Sequence, residues 1–341
     1  MREGIQFCAA CGKEMPYYMR NVTICRPIRG KEHIFEMAAA FCDGCGEAVS
    51  PPGLFDGNAA WIDRQYREKE RIAGAEMISE LTALYRIDGI SLLYALGFEE
   101  TEAAGYLAGQ MPSAEDSDVI RKALESPAFM MEKLRKNRER IGGPAFGTAM
   151  CAGRERRHFL ALSEKMRQVI YYLLKKTAGV TPLTLQKMLY FTQGLHMALH
   201  GRELFSEDCQ AWAHGPVYKE VYGLFRDFHS QPIQEPGFFS YFMPGKGNGG
   251  LSGGEKKVID QVAEALRIYD GKTLEKVTHE EAPWKEARAG CLPGQRSGAV
   301  IAKESVRIYF VTAASRYDFT SFEGIRNYIE SRLSVDGEDM L

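Results

Sequence analysis

The sequence has no apolar run long enough to span a bilayer, and its opening residues, Met-Arg-Glu-Gly-Ile-Gln-Phe-Cys, lack the apolar core of a secretory signal. The chain is therefore expected in the cytoplasm, where thiols stay reduced and regularly spaced cysteines suggest metal before disulfide. Charge of one sign is also missing. Lys and Arg number 43 and Asp and Glu 45, so no global field favours DNA or an anionic membrane. The phosphate-cradling G-x-x-x-x-G-K-[ST] loop is absent. Leu251-Ser252-Gly253-Gly254-Glu255, which looks like an ABC-ATPase signature, thus has no nucleotide site to serve. His196 and His200 stand one helical turn apart, but Met197 occupies the place where H-E-x-x-H needs its glutamate. His279-Glu280-Glu281 has no nucleophile motif or metal set beside it. These absences argue against an enzyme, and no catalytic residue is assigned.

What is present is 341 residues, 45% apolar and 26% charged, enough for two or three soluble globular domains. The eight cysteines are unevenly placed. Cys8 and Cys11 form one C-x-x-C pair and Cys42 and Cys45 another, each followed by glycine (Gly12, Gly46). Such turns aim two sulfurs at one point, and two of them complete a tetrahedral four-thiolate site for a single structural Zn2+. A C-x-x-C redox motif would want a helix after the first pair and no second pair. Between the pairs, Tyr18 to Ile28 is rich in β-formers, Arg29-Gly30-Lys31 can turn, and His33 to Phe41 can return, which predicts a small β-hairpin. Cys25, Cys151, Cys209 and Cys291 are read as small buried apolar side chains.

A helical tract follows. Asn58 is expected to cap a helix from Ala59 to about Arg71. Short helices then surround Ile78 to Tyr85, Leu92 to Leu96, Ala103 to Leu107 and Ala114 to Leu124, with breaks at Gly97, Gly109 and Ser126-Pro127. The stretch Tyr85 to Gly109, with Leu92, Leu96, Gly97, Phe98, Tyr106 and Gly109 in place, resembles the helix-turn-helix of MqsA-type, Cro/repressor-like antitoxins. The zinc ribbon ahead of it completes that resemblance over roughly residues 1–135. The resemblance implies a recognition helix near Glu100 to Ala108 and operator DNA as a partner. The chemistry there departs from the family. Ile87 to Ile120 contains no lysine or arginine but holds Asp88, Glu99, Glu100, Glu102, Glu115, Asp116 and Asp118. Carboxylates against phosphates repel, and cations displacing counterions supply most DNA affinity. Basic residues cluster nearby at Lys133, Arg135, Lys136, Arg138 and Arg140, and are read as a solvated helix face. No DNA-binding residue is assigned.

Gly142, Gly143, Pro144, Gly147 and Gly153, followed by Arg154-Glu155-Arg156-Arg157, are expected to break any helix and to form a linker over 141–160. The domain plan is a zinc ribbon at 1–55, a helical region with the helix-turn-helix at 56–140, this linker, and a C-terminal α-helical domain at 161–341. The fold class is mainly α. In the last domain helices are expected over Met166 to Lys175, from Thr184 as cap to Gly201, over Val217 to Phe228, from Glu255 to Tyr269, and over Phe322 to Leu333. A glycine-rich mobile loop is expected from Pro244 to Gly254.

Three motifs here closely resemble the Panacea domain of SocA-like antitoxins. They are Leu185-Gln186-Lys187-Met188-Leu189-Tyr190-Phe191, Ala211-Trp212 with Gly215-Pro216-Val217, and Thr278-His279 with Ala282-Pro283-Trp284. Their order and spacing agree over roughly 165–312. The resemblance implies an α-helical domain that neutralises a cognate protein toxin by direct contact, with Lys187, Tyr190, Trp212, Gly215, Pro216, His279, Pro283 and Trp284 as toxin-binding or domain-motif residues. The family serves toxins of unrelated chemistry, so the toxin stays unspecified. Read from the residues alone, Lys187 on an apolar helix face must emerge at an edge or pair with a carboxylate. Gly215-Pro216 fixes how the following helix starts. Trp212 and Trp284 serve either as core packing or as interface anchors. The expected function is an antitoxin of a bacterial or phage toxin–antitoxin system, with autoregulatory DNA binding as an addition. The zinc and helical half would supply stability, operator contact or a homodimer. The alternatives are a zinc-containing transcription regulator and a proteolytic adaptor that delivers a bound protein to a protease.

Overall fold

The computed structural model describes residues 4–28, 30–233, 250–292 and 294–334. Arg29, in the expected turn, and most of the glycine-rich stretch expected from Pro244 to Gly254 lie outside the described residues. The chain is mostly helical, with a small antiparallel sheet at its N-terminus. Among the described residues no helix is long and apolar enough to cross a membrane. Two compact units divide between Met150 and Cys151.

The first unit opens with β1 (Gly4–Cys8), β2 (Lys13–Ile28), β3 (Lys31–Cys42) and β4 (Ala48–Val49), hydrogen-bonded in that order. The hairpin is longer than the sequence suggested, with β2 and β3 in antiparallel register from Tyr17 opposite Cys42 to Ile28 opposite Lys31. Helix α1 (Leu54–Lys69) starts at Gly53, five residues before the expected cap. Asn58 is consequently inside the helix and does different work. Its Oδ1 accepts from the Ala38 amide at 2.9 Å and its Nδ2 donates to the Ala38 carbonyl at 2.7 Å. Two turns on, Gln65 repeats this on Glu36, accepting at 2.9 Å and donating at 2.7 Å. Lys69 donates to the Ile34 carbonyl. Amide side chains seven residues apart on the helix thus stand in for a neighbouring strand along β3, whose outer edge would otherwise be unpaired beyond the two-residue β4.

Five helices follow: α2 (Ala75–Tyr85), α3 (Gly89–Leu96), α4 (Glu100–Leu107), α5 (Ala114–Glu125) and α6 (Pro127–Lys136). Their starts are locally encoded. Asp88 caps α3, Glu99 and Glu102 form a capping box on α4, and Ser113 and Ser126 cap α5 and α6. Gly97 at φ 104° ends α3. The turn it opens is held by Asn137 donating to Ala95 O at 2.8 Å and Arg140 donating to Phe98 O at 2.7 Å. One cation of the basic cluster is thereby committed to an internal contact.

The segment expected as a broken linker is a helix, α7 (Gly143–Ala161). Pro144 falls in its first turn, where the missing amide costs nothing, and Gly147 and Gly153 carry a penalty of only about 1 kcal/mol each against alanine.

The second unit holds α8 (Glu164–Lys176), α9 (Pro182–His200), β5 (Cys209–Trp212), β6 (Gly215–Val217), α10 (Lys219–Phe225), α11 (Gly253–Leu266), α12 (Gly271–His279), α13 (Ala282–Ala287), β7 (Val300–Ile301), α14 (Lys303–Ala314) and α15 (Phe322–Leu333). The three short strands pair antiparallel in the order β6-β5-β7. Thr181, not Thr184, caps α9: its hydroxyl accepts from the Thr184 amide, because Pro182 already fills the first helical position. Gly215-Pro216 does not start a helix. It forms strand β6 against β5, and α10 begins only at Lys219. Helix α9 is buried on nearly every side from Thr184 to Met197, so it is the axis of this unit, and α10, α11, α12, α14 and β6 all pack on it.

Candidate functional site: a cysteine cluster and a clamped hairpin

In the first unit, the turns after β1 and β3 bring Cys8, Cys11, Cys42 and Cys45 together, every sulfur within 4.8 Å of the others. Cys8 Sγ lies 3.4 Å from Cys45 Sγ, and Cys11 Sγ lies 3.9 Å from Cys42 Sγ. Four thiolates about 2.3 Å from a central ion have sulfurs about 3.8 Å apart, so these edges suit a tetrahedral metal site. Gly12 and Gly46, at φ 66° and 74°, close both turns by donating to Cys8 O and Cys42 O at 2.9 Å. The Cys45 amide, with that of Gly44, points at the Cys42 sulfur and draws its thiol down to about 7. Cys11, hydrogen-bonded by Cys45 and Cys8, is pushed up to about 12. Crowded thiols that cannot all ionise are relieved by a cation at their centre.

The remaining cysteines depart from expectation. Cys209 is buried, Cys25 is exposed, and Cys151 and Cys291 are half-buried. Cys25 shares its strand face with Thr23 and Asn21, where no helix covers it. The Cys151 thiol donates to Asp227 at 3.1 Å and Glu155 at 3.5 Å, and burial raises it to about 11. Arg154 and Arg226 also pair with Asp227, at 3.9 and 3.4 Å, so this grouping already balances its charge.

The three C-terminal motifs meet around Lys187. Because α9 has no exposed side at this level, the ammonium cannot emerge, and Lys187 is 0% exposed. Among the described residues no carboxylate pairs with it. Its Nζ donates to the carbonyls of His214 at 2.5 Å and Pro216 at 3.3 Å, across the tip of the β5–β6 hairpin. Burial lowers its pKa to about 7. Gly215 sits between those carbonyls at φ 92°. A methyl there would overlap Lys187 Nζ and come 2.7 Å from Thr278 Oγ1. The lysine of the first motif, the glycine of the second and the threonine of the third are one contact.

Further fasteners surround it. Gln186 Oε1 accepts from Tyr218 N at 2.8 Å, and Gln193 bonds Leu204 N at 2.9 Å and Phe205 O at 2.8 Å. His196 Nδ1 donates to Arg202 O at 2.9 Å and its ring lies 4.6 Å from that of His200, so this pair serves helix packing. From the other side, Trp284 Nε1 donates to Trp212 O at 3.0 Å, and Arg288 donates to Ala211 O at 3.0 Å. His279 stacks on Trp284 with centroids 4.0 Å apart. Tyr190 and Pro283 are buried, and Pro216 is buried within β6. What reaches the surface is the hairpin rim. Trp212 and Ala213 are half-buried and His214 exposed, with Tyr222 set edge-on to Trp212 at 4.9 Å. His214 Nδ1 is held by Glu275 at 3.0 Å.

Glu281, within the span of the third motif, stands out in the sequence only as part of His279-Glu280-Glu281, set aside as a catalytic site, and it is fully buried. Its Oε1 accepts from Tyr328 at 2.5 Å, and Tyr309 bonds Tyr328 at 2.9 Å. The Tyr190 hydroxyl also interacts with the Glu281 carboxyl. Burial raises Glu281 from 4.5 to about 7, against the tyrosine hydrogen bonds, Arg332 and Lys187. Between those values the folded chain keeps a proton that the unfolded chain has lost, so stability falls as pH rises, by up to about 3 kcal/mol when complete. Glu281→Gln cannot titrate. Urea midpoints of the two proteins should therefore diverge in favour of the variant between about pH 5 and about pH 8. A gap independent of pH would contradict this.

The family model for the antitoxin SocA-like Panacea domain matches residues 185–285, from the start of the first motif to just past Trp284. This stretch of the second unit is therefore similar to an antitoxin-like domain of that kind. No curated protein and no solved structure matches the chain.

Proposed function

We propose that the chain is the antitoxin of a bacterial or phage toxin–antitoxin system, acting in the cytoplasm without catalysis, and that its C-terminal domain neutralises a cognate protein toxin by direct binding. The observation that carries this reading is the match of 185–285 to an antitoxin family whose three motifs converge on one clamped hairpin. In this reading Lys187, Tyr190, Gly215, Pro216 and Pro283 are internal and shape the hairpin, His279 and Trp284 buttress it, and Trp212, His214 and Tyr222 meet the toxin. A rigid rim bearing a tryptophan and a tyrosine suits an interface, where such side chains contribute most.

The N-terminal half is assigned a structural Zn2+ at Cys8, Cys11, Cys42 and Cys45. Residues 1–55 form an MqsA-like ribbon, 56–140 a helical region in which α3 and α4 form a helix-turn-helix, and 161–341 the antitoxin domain. We assign no operator contact to α4, whose start carries Glu99, Glu100 and Glu102.

Co-expression with the product of the adjacent open reading frame tests the proposal. A stoichiometric complex should co-purify. Trp212→Ala should weaken that complex by about 2 kcal/mol or more, roughly 30-fold, with little change in melting temperature. Equal affinity of variant and parent would remove the rim from the interface.

A further inference from the structure

Part of one face of the first unit's sheet is apolar and, among the described residues, uncovered. Successive side chains of a strand point to opposite faces. Along β2, Met15, Tyr17 and Met19 pack with Cys8, Ala40 and Cys42 in the core beside the cysteine cluster. Glu14, Pro16, Tyr18 and Arg20 therefore share the other face, joined by Ile5 opposite Pro16, Phe7 opposite Glu14, and Phe41 opposite Tyr18. Far from the cluster this face is filled, since Ile24, Ile28 and Phe35 pack with Ile62, Tyr66 and Ile72. Near the cluster it is open. Ile5 is 69% exposed, Phe7 58% and Tyr18 36%.

The patch is ordered by its own contacts. Tyr18 stacks on Phe41 at 5.9 Å, and the Arg20 guanidinium lies 4.2 Å over the same ring. Apolar side chains grouped in this way mark a contact surface more often than isolated ones do. Its charges are arranged symmetrically. Glu14 and Arg20 lie three residues either side of Tyr17, about 20 Å apart along the strand, with Ile5, Pro16, Tyr18 and Phe41 between their levels and Phe7 level with Glu14. A two-fold axis crossing β2 at Tyr17 sets Glu14 of each copy against Arg20 of the other and Tyr18 beside Pro16. Opposite charges at equal distances from such an axis satisfy the charge self-complementarity of an isologous interface.

We infer that a second copy of this chain covers this face, forming a homodimer through the N-terminal sheets. The inference uses only residues outside 185–285 and is independent of the antitoxin reading. Sedimentation of the full chain over micromolar to submillimolar concentrations tests it. The parent should be dimeric. Glu14→Arg and Arg20→Glu should each raise the dimer dissociation constant on the order of tenfold or more, since each creates two like-charge contacts. The double variant should restore the dimer. Both side chains are exposed, and retained metal content reports that each variant is folded. A monomeric parent would overturn the proposal. So would a dimer indifferent to the single reversals, or one broken only by Gln6→Pro, which would indicate strand addition along β1 instead.

Discussion

Gly215→Ala is expected to be the most damaging single-methyl change in the C-terminal unit. Two penalties act together. A φ of 92° lies outside the region open to alanine, and the new methyl would overlap the Lys187 ammonium while crowding Thr278. Left-handed backbone costs an L-residue about 1–2 kcal/mol and overpacking a further 1–3, so a loss of about 3 kcal/mol is expected, together with failure to bind the toxin. The side chain cannot yield cheaply. Moving Lys187 aside breaks its bonds to His214 and Pro216, and α9 leaves the ammonium no route to water. Chemical denaturation of the variant measures the first effect and co-purification the second. A variant of parental stability would show that the three motifs do not form a single contact.

Metal removal should have the second large effect, confined to the first unit. The small core around Cys8, Ala40, Cys42 and Val49 is built on two of the four clustered cysteines. Structural zinc contributes on the order of 10 kcal/mol to folding in comparable small domains. A strong chelator, or Cys42→Ser, should abolish an early calorimetric transition and most of the β-sheet signature while the transition of the second unit persists. The parent should carry one zinc per chain. An unchanged scan after complete metal removal would contradict a structural role.

Much of this was legible where the signal was local. The cysteine spacing located the cluster, the β-rich run and Gly30 located the hairpin, and Gly97, Ser126 and Gly201 ended helices where they were expected to. The three C-terminal motifs identified a domain but not its mechanics. Lys187 was misread because its partners are backbone carbonyls 27 and 29 residues away, which leave no trace in residue type. Asn58 was misread for the same reason: a helix cap and a surrogate strand partner both call for asparagine. Glycine counts over 142–153 suggested a break, yet propensity is a weak prior and α7 forms regardless. Glu281 stood out only as part of His279-Glu280-Glu281, and its burial was not legible, since that depends on where Tyr190 and Tyr328 come to rest.

Growth of cells producing the neighbouring gene product, with and without this chain, tests the central claim most directly. The account predicts arrest by the neighbour alone and relief by the full chain, with an undegraded complex recoverable from the rescued cells. Arrest that persists despite abundant chain, with no complex recovered, would contradict it.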